Sequence, residues 1–174
     1  KAAVGSNAQK IGDLYNSFMD EEFIQAQGLS PIAADLKAAQ SFKSLDEFLT
    51  LLGELEARGL SGLFYTYVST DNKDSTKNIV YLGQSGLSLP DEAYYREDEY
   101  QEIRESFLAH IQKMFELAKL ENPSQSAQEV LSIEAKIASF HWDQVKDRDA
   151  ELTYNKMDFH KLRNLATSFP WPPW

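Results

Sequence analysis

Apolar side chains recur every three or four positions along most of this chain, which is the spacing of amphipathic helices. In the N-terminal part the pattern predicts one helix from Ile11 to about Gln27. Gly28 follows it and favours a left-handed helix end. Ser30 then predicts the N-cap of a second helix, which runs from Pro31 to about Gln40 with the proline in its first turn.

A third helix has the strongest signals in the chain. Ser44 and Glu47 have the spacing of a capping box. Ser44 stands directly before a leucine-rich amphipathic segment, and Glu47 lies in its first turn. Gly59, with an apolar residue after it, predicts the same glycine-dependent end as in the first helix. Both ends of this helix are therefore predicted by local chemistry.

The pattern then changes to one that favours β-structure. Leu63–Val68 and Ile79–Leu82 are rich in β-branched and aromatic residues, and they flank a polar stretch from Ser69 to Asn78. These segments predict a single β-hairpin, with the polar stretch between its two strands and the hairpin loop at 71–75.

Helical spacing returns in the second half. A long helix is predicted from Glu97, and Ser126 with Glu129 forms another capping box that would open the next helix. The residues predicted to face inward from that helix are Val130, Ile133, Ile137 and Phe140. A charged loop at 147–149 and a short helix from Asp158 complete a chain that is mainly α, a multi-helix domain with one β-hairpin.

Composition narrows the function classes. The 174 residues suit one domain, or one and a fraction, and they carry a formal net charge of −10. That charge repels nucleic acid and anionic lipid, so neither is an expected partner. No apolar run approaches the roughly 20 residues of a spanning helix. The absence of cysteine excludes disulfides and thiolate zinc sites and slightly favours a cytoplasmic over an exported protein.

No complete catalytic motif is present. His-Glu-x-x-His, the P-loop, G-x-G-x-x-G and G-x-S-x-G are all absent, and the three histidines lack metal-ligand spacing. Glu134 and His141 lie two turns apart on one predicted helix face, and His110 could join them in a metal or acid/base site. Satisfaction of these groups by ordinary hydrogen bonds is the favoured interpretation.

Three further features have a structural and a functional interpretation. The acidic loop 71–75 lacks the glycine and the closing glutamate of a calcium loop, so turn formation is favoured. Tyr94 and Tyr95, near Asp91 and Glu92, could face a ligand, but packed tyrosines are commoner. The stretch 170–173 matches the unspecific P-x-x-P ligand pattern, for which packing is again favoured.

Several segments, in order, resemble the helical region that precedes the catalytic part of neprilysin-type zinc metallopeptidases. They are Lys10–Asp20, Val68–Asp71, the Gly86–Tyr95 stretch Gly-Leu-Ser-Leu-Pro-Asp-Glu-Ala-Tyr-Tyr, Ile133–Ala138, Asp147–Asp149 and Thr153–Met157. The sequence departs from the family pattern at Phe18, Ser88 and Ala93, where cysteine, glycine and aspartate are usual.

The resemblance implies a parent zinc endopeptidase that cleaves oligopeptides inside a chamber. Residues 1–174 would be its N-terminal helical lid region, a truncated fragment of the larger helical lobe that encloses the chamber and restricts substrate size. The zinc ligands and catalytic residues of the family belong to a later region, so no catalytic or metal residue is assigned here, and substrate-binding residues stay unknown. The expected partners are the catalytic region of the same polypeptide and peptide substrates.

The residues that match family motifs are expected to orient and pack helices. They are Asp91, Tyr94, Tyr95, Glu134, Arg148, Asp149, Tyr154 and Asn155. The alternative is a stand-alone acidic helical module that binds a partner through the hairpin and a tryptophan-rich end, which exposure of Trp171 and Trp174 would favour.

Overall fold

A computed structural model describes residues 2–60 and 62–171. Within them the chain is mainly helical and has one two-stranded antiparallel sheet, which confirms the predicted fold class. The helices are α1 (Asn7–Met19), α2 (Glu21–Gln27), α3 (Ala33–Ala39), α4 (Leu45–Ala57), α5 (Ala93–Arg96), α6 (Gln101–Leu117), α7 (Pro123–Ala138), α8 (Gln144–Asp147) and α9 (Phe159–Leu165). The chain forms two compact units, which divide between Phe42 and Lys43.

The N-terminal unit contains α1, α2 and α3. The single helix predicted from Ile11 to Gln27 is wrong, because Asp20 leaves the helical conformation and its carboxylate accepts a hydrogen bond from Phe23 N at 3.0 Å. An aspartate that caps a new helix competes with the continuation of the old one. Gly28 does end α2 with a positive φ of 53°.

The predicted N-cap at Ser30 is also wrong. Ser30 lies inside a short 3-10 turn, Ser30–Ile32, and its hydroxyl donates to Gln27 Oε1. The α-helix α3 begins only at Ala33, so the proline occupies the 3-10 turn instead of the first α-helical turn. Short 3-10 turns at helix starts are common because they need only one or two hydrogen bonds.

The second unit begins with α4, and both of its predicted ends are confirmed. Ser44 Oγ accepts from Glu47 N at 3.2 Å, while the Glu47 carboxylate accepts from the backbone N–H of Lys43 at 2.6 Å. At the other end Gly59 has φ of 89°, and Leu60 N donates to Leu55 O. These bonds satisfy backbone groups that a helix terminus leaves unpaired.

The hairpin consists of β1 (Phe64–Asp71) and β2 (Asp74–Gln84). It is longer than predicted, since most of the polar stretch between the two predicted strand segments also lies in the strands, with Thr70 opposite Asn78. The register shifts between Thr70 and Asp71, and Asp71 pairs with Asp74. The strands continue through these polar residues because a strand can carry polar side chains on a sheet face that is exposed to solvent.

The second half of the chain packs α6 against α7, with α5 contacting both. A 3-10 turn, Asp98–Tyr100, precedes α6, which therefore starts later than the predicted Glu97. The capping box predicted at Ser126 is wrong: α7 begins at Pro123, and Ser126 N donates to Asn122 O inside the first turn. Proline needs no N–H partner at a helix start, and it moved this start one turn earlier.

Two short helices flank the loop that follows. α8 occupies a segment predicted partly as loop, and Asp143 caps it by accepting from the backbone N–H groups of Val145 and Lys146. Asp158 caps α9 and accepts from Lys161 N at 2.8 Å, which confirms the predicted last helix.

Few apolar residues are buried among the described residues. They are Leu49, Ile111, Ala127, Ala138 and Trp171. The prediction that Ile133 and Phe140 face inward is wrong, since they are 60% and 79% exposed. Periodicity identifies an apolar face of a helix, but only a neighbouring element can bury it. No helix within the described ranges is long and apolar enough to cross a membrane.

Candidate functional site

The carboxylate of Glu134 on α7 holds the loop that follows the hairpin. It accepts hydrogen bonds from Ser88 N at 3.2 Å, from Ser88 Oγ at 2.7 Å and from Tyr95 Oη at 2.5 Å. Tyr95 lies on α5, so one side chain joins two helices and the loop between β2 and α5. This arrangement agrees with the packing role expected for Tyr95 and Glu134.

The hydroxyl of Tyr95 makes a second bond, accepting from Leu89 N at 3.0 Å. Its partial burial, together with the adjacent Glu134 carboxylate, raises the pKa of Tyr95 to about 12. A phenol with this pKa keeps its proton at neutral pH. The pair therefore acts as a hydrogen-bonded clamp in which the Tyr95 hydroxyl is the donor.

The same loop is held at three further points. His141 Nε2 lies 3.1 Å from Ser85 O, and the side chain of Gln84 makes reciprocal bonds to the backbone N and O of Trp142 at 2.9 and 3.0 Å. Asp91 bonds to the side-chain amide of Gln144. We name residues 84–95 together with these partners the loop clamp.

The hypothetical site of Glu134, His141 and His110 does not form. The Glu134 oxygens bind Ser88 and Tyr95, the His141 ring contacts the backbone of Ser85, and His110 is exposed on α6. Within residues 2–60 and 62–171, no group of three or more His, Asp or Glu side chains is arranged to hold a metal ion. The geometry supports the hydrogen-bonding interpretation.

A second polar cluster lies at the tip of the hairpin. Asp71 is only 2% exposed, and its carboxylate accepts from Tyr154 Oη at 2.8 Å, from Lys73 N at 2.9 Å and from the ammonium of Lys156. The bond from Lys156, followed by those from Lys73 N and Tyr154, holds the pKa of Asp71 well below its usual range. We name this cluster the tip anchor.

The tip anchor joins residues that are more than 80 positions apart in sequence. Lys73 Nζ also lies 4.7 Å from the centre of the Tyr154 ring and 2.8 Å from a Glu151 carboxylate oxygen. A cation over an aromatic face adds a modest attraction. Sequence reasoning had Asp71 in a turn and Tyr154 in a family motif, and nothing in their spacing indicated that they meet.

The remaining motif residues make local contacts. The ring of Tyr94 stacks on Tyr100 with centroids 4.1 Å apart, which supports packing over ligand binding. Arg148 donates to Gln144 Oε1, and Asp149 accepts from two backbone N–H groups of the next turn. Asn155 Nδ2 donates to Leu152 O at 2.8 Å. These bonds shape the segment that carries Tyr154 to the tip anchor.

An aromatic cluster lies at the base of the hairpin. Trp171 is 6% exposed and contacts Phe64, Phe169 and Phe159, with ring centroids 6.1, 4.6 and 6.2 Å away. Exposure of two tryptophans, Trp171 and Trp174, would favour an interaction module, and Trp171 is buried. The other, Trp174, lies outside the described residues, as does the second half of the P-x-x-P match, 172–173.

Replacing Tyr95 with phenylalanine should lower the free energy of unfolding by about 1 kcal/mol, because it removes the bonds to Glu134 and Leu89 while keeping the ring. Urea denaturation measures the change. The matched control is Tyr94→Phe, since the Tyr94 hydroxyl makes no hydrogen bond to any described residue. Equal losses for the two variants would contradict the clamp.

Comparison with known proteins agrees with this architecture. The model of peptidase family M13 matches residues 1–174. Endothelin-converting enzyme 1 of Rattus norvegicus is 33% identical over 185 residues, covering 98% of this chain and 24% of the relative. The same enzyme from Cavia porcellus is 29% identical over 185 residues, covering 99% of this chain and 24% of the relative.

Solved structures give a closer match. Zinc metalloprotease 1 of Mycobacterium tuberculosis, in complex with an inhibitor, is 40% identical and superposes with a TM-score of 0.90 over 99% of this chain and 27% of that one. The open state of the same enzyme superposes with a TM-score of 0.88 at 40% identity, and the match covers 100% of this chain and 27% of that one. The chain thus spans about a quarter of the length of these proteins. Its motifs, fold and similarity agree with the resemblance to neprilysin-type enzymes, and the chain belongs to peptidase family M13.

Proposed function

We propose that this chain is the noncatalytic helical part of a zinc metalloendopeptidase, and that it encloses the active-site chamber and restricts the size of the peptides that enter. The carrying observation is the family match over residues 1–174 in a chain that spans only about a quarter of its relatives. The parent protein would hydrolyse peptide bonds in oligopeptides. Its partners would be the rest of its own polypeptide and those peptides.

Zinc enters this proposal only through the remainder of the polypeptide. The M. tuberculosis relative is a zinc metalloprotease. The histidines at 110, 141 and 160 do not converge with carboxylates in the described residues, so they do not fit a zinc site. In the parent, bound zinc would supply the activation of water for hydrolysis.

The contribution of this chain would be mechanical. The tip anchor and the loop clamp hold the hairpin and the helices in one arrangement, as a wall that excludes large substrates requires. Open and partially open states are described for the M. tuberculosis enzyme, which supports a chamber that opens for entry. The net charge of −10 would bias entry toward basic or neutral peptides.

The test compares this chain with the full-length product of its gene on a series of quenched peptides. Only the full-length protein should cleave, a chelator should stop it, and zinc should restore it. One cleavable sequence is presented both as a short peptide and within a loop of a folded protein. We expect kcat/KM to be lower by about tenfold or more for the folded substrate, because the wall excludes it.

Each part of the proposal has its own contrary result. Cleavage by this chain alone would overturn the noncatalytic role. If the full-length protein showed no zinc-dependent cleavage, the assignment of the parent as a peptidase would be overturned. Equal kcat/KM for the peptide and the folded substrate would overturn the size restriction and leave the peptidase assignment intact.

A further inference from the structure

The hairpin is fixed at both ends while its middle is open. The tip anchor holds Asp71, and at the base Gln84 bonds to Trp142. Between these points five large side chains, distributed over both faces, are exposed. They are Tyr65, Tyr67, Val68, Val80 and Leu82. The hairpin is therefore a sheet held in place at both ends, and much of the apolar surface between them is exposed in the described part of the chain.

The outer edge of β1 has no partner strand among the described residues. β1 pairs with β2 alone, so alternate backbone N–H and C=O groups of residues 65–69 point away from the sheet. Those five residues contain no charge and no proline, and the register shift occurs only after Thr70. Natural proteins protect free edges with these devices, and residues 65–69 carry none of them.

We propose that the outer edge of β1 receives a strand from the part of the polypeptide beyond residues 1–174, which turns the hairpin into a three-stranded sheet. The inference rests on the part of the proposed function that makes this chain a region of a longer protein. The relatives it matches are about four times as long, which leaves ample chain to supply the strand. A third strand would pair the backbone groups that the outer edge of β1 leaves unpaired.

A second copy of this chain is a poorer occupant. Two copies that paired through β1 would bring together two molecules of net charge −10, and like charges disfavour association. A strand of the same polypeptide also pays less entropy for pairing, because it is already tethered. Its side chains would lie beside Val68 on one face and beside Tyr65 and Tyr67 on the other.

Photo-crosslinking in the full-length protein tests the location of this strand. p-Benzoylphenylalanine is placed at Val68 in one variant and at Val80 in the other. These residues face each other across the hairpin and are 69% and 66% exposed, so they form a matched pair. An added strand would lie about 5 Å from β1 but about 10 Å from β2. From position 68 we expect an intramolecular cross-link to a segment beyond residue 174 or before residue 1. From position 80 we expect no such cross-link.

Three results would overturn the proposal: cross-links from both positions alike, which indicate a covered face; a cross-link between two copies; or none outside residues 1–174. Hydrogen exchange of the unmodified full-length protein gives an independent measurement. An occupied edge protects every amide from Tyr65 to Ser69, whereas a free edge leaves alternate amides in fast exchange. Peptide cleavage is measured separately, so failure of the proposed peptidase and failure of the edge pairing are distinguishable.

Discussion

Replacing Asp71 with alanine should lower the melting temperature of this chain by about 5 to 10 °C, the largest loss we expect from any polar substitution. The substitution removes the acceptor for Tyr154, Lys156 and the backbone N–H of Lys73 at once. Because the Lys156 side chain is 43% exposed and water can solvate its ammonium, most of the loss comes from the bonds that Tyr154 and Lys73 N make to the buried carboxylate. Differential scanning calorimetry measures the shift.

Asp74→Ala is the matched control, because Asp74 lies on the same hairpin and its side chain bonds, among the residues that the structure describes, to the nearby Thr76 and Lys77. Its loss should be clearly smaller. Comparable shifts for the two variants would mean that the long-range bonds of Asp71 add nothing, and would contradict the tip anchor.

The contribution of Asp71 to stability should be lost at acid pH. The pKa of Asp71 in the folded chain lies well below its usual range, so the unfolded chain binds this proton more readily. The stabilisation is fully present above the unfolded pKa of about 4 and declines as the pH falls toward the folded pKa. In Asp71→Asn this component of the acid-induced loss should be absent, and an unchanged slope below pH 4 would contradict it.

Replacing Trp171 with alanine should cost about 3 to 5 kcal/mol in the free energy of unfolding. The indole fills the aromatic cluster among Phe64, Phe169 and Phe159, and its Nε1 donates to Ala166 O at 3.1 Å. Alanine would leave a cavity at the base of the hairpin and an unpaired carbonyl. Urea denaturation followed by far-UV circular dichroism measures the change.

Trp142→Ala controls for the loss of an indole as such. Trp142 is 43% exposed, and its bonds to Gln84 use only its backbone atoms. We expect a loss within about 1 kcal/mol for this variant. A loss for Trp171→Ala no larger than that for Trp142→Ala would show that the aromatic cluster does not support the second unit.

The sequence alone determined those helix ends that are set by capping groups close together in the chain. The capping box of Ser44 and Glu47, the positive φ of Gly59 and the cap at Asp158 involve groups within five residues of each other, so their geometry follows from sequence spacing alone. The same reasoning failed where two local signals competed. Asp20 capped a new helix within an unbroken apolar stripe, and Pro123 started α7 ahead of the capping box at Ser126.

Family membership was also contained in the sequence, because the order and spacing of its motifs carry it without any three-dimensional information. What the motif residues do was decided by the tertiary structure. Tyr154 reaches Asp71, and Tyr95 reaches Glu134, across 83 and 39 positions. Periodicity identified an apolar face that includes Ile133, yet its exposure depends on which element packs there. Burial and long-range hydrogen bonds depend on contacts between distant segments, and such contacts exist only once the chain has folded.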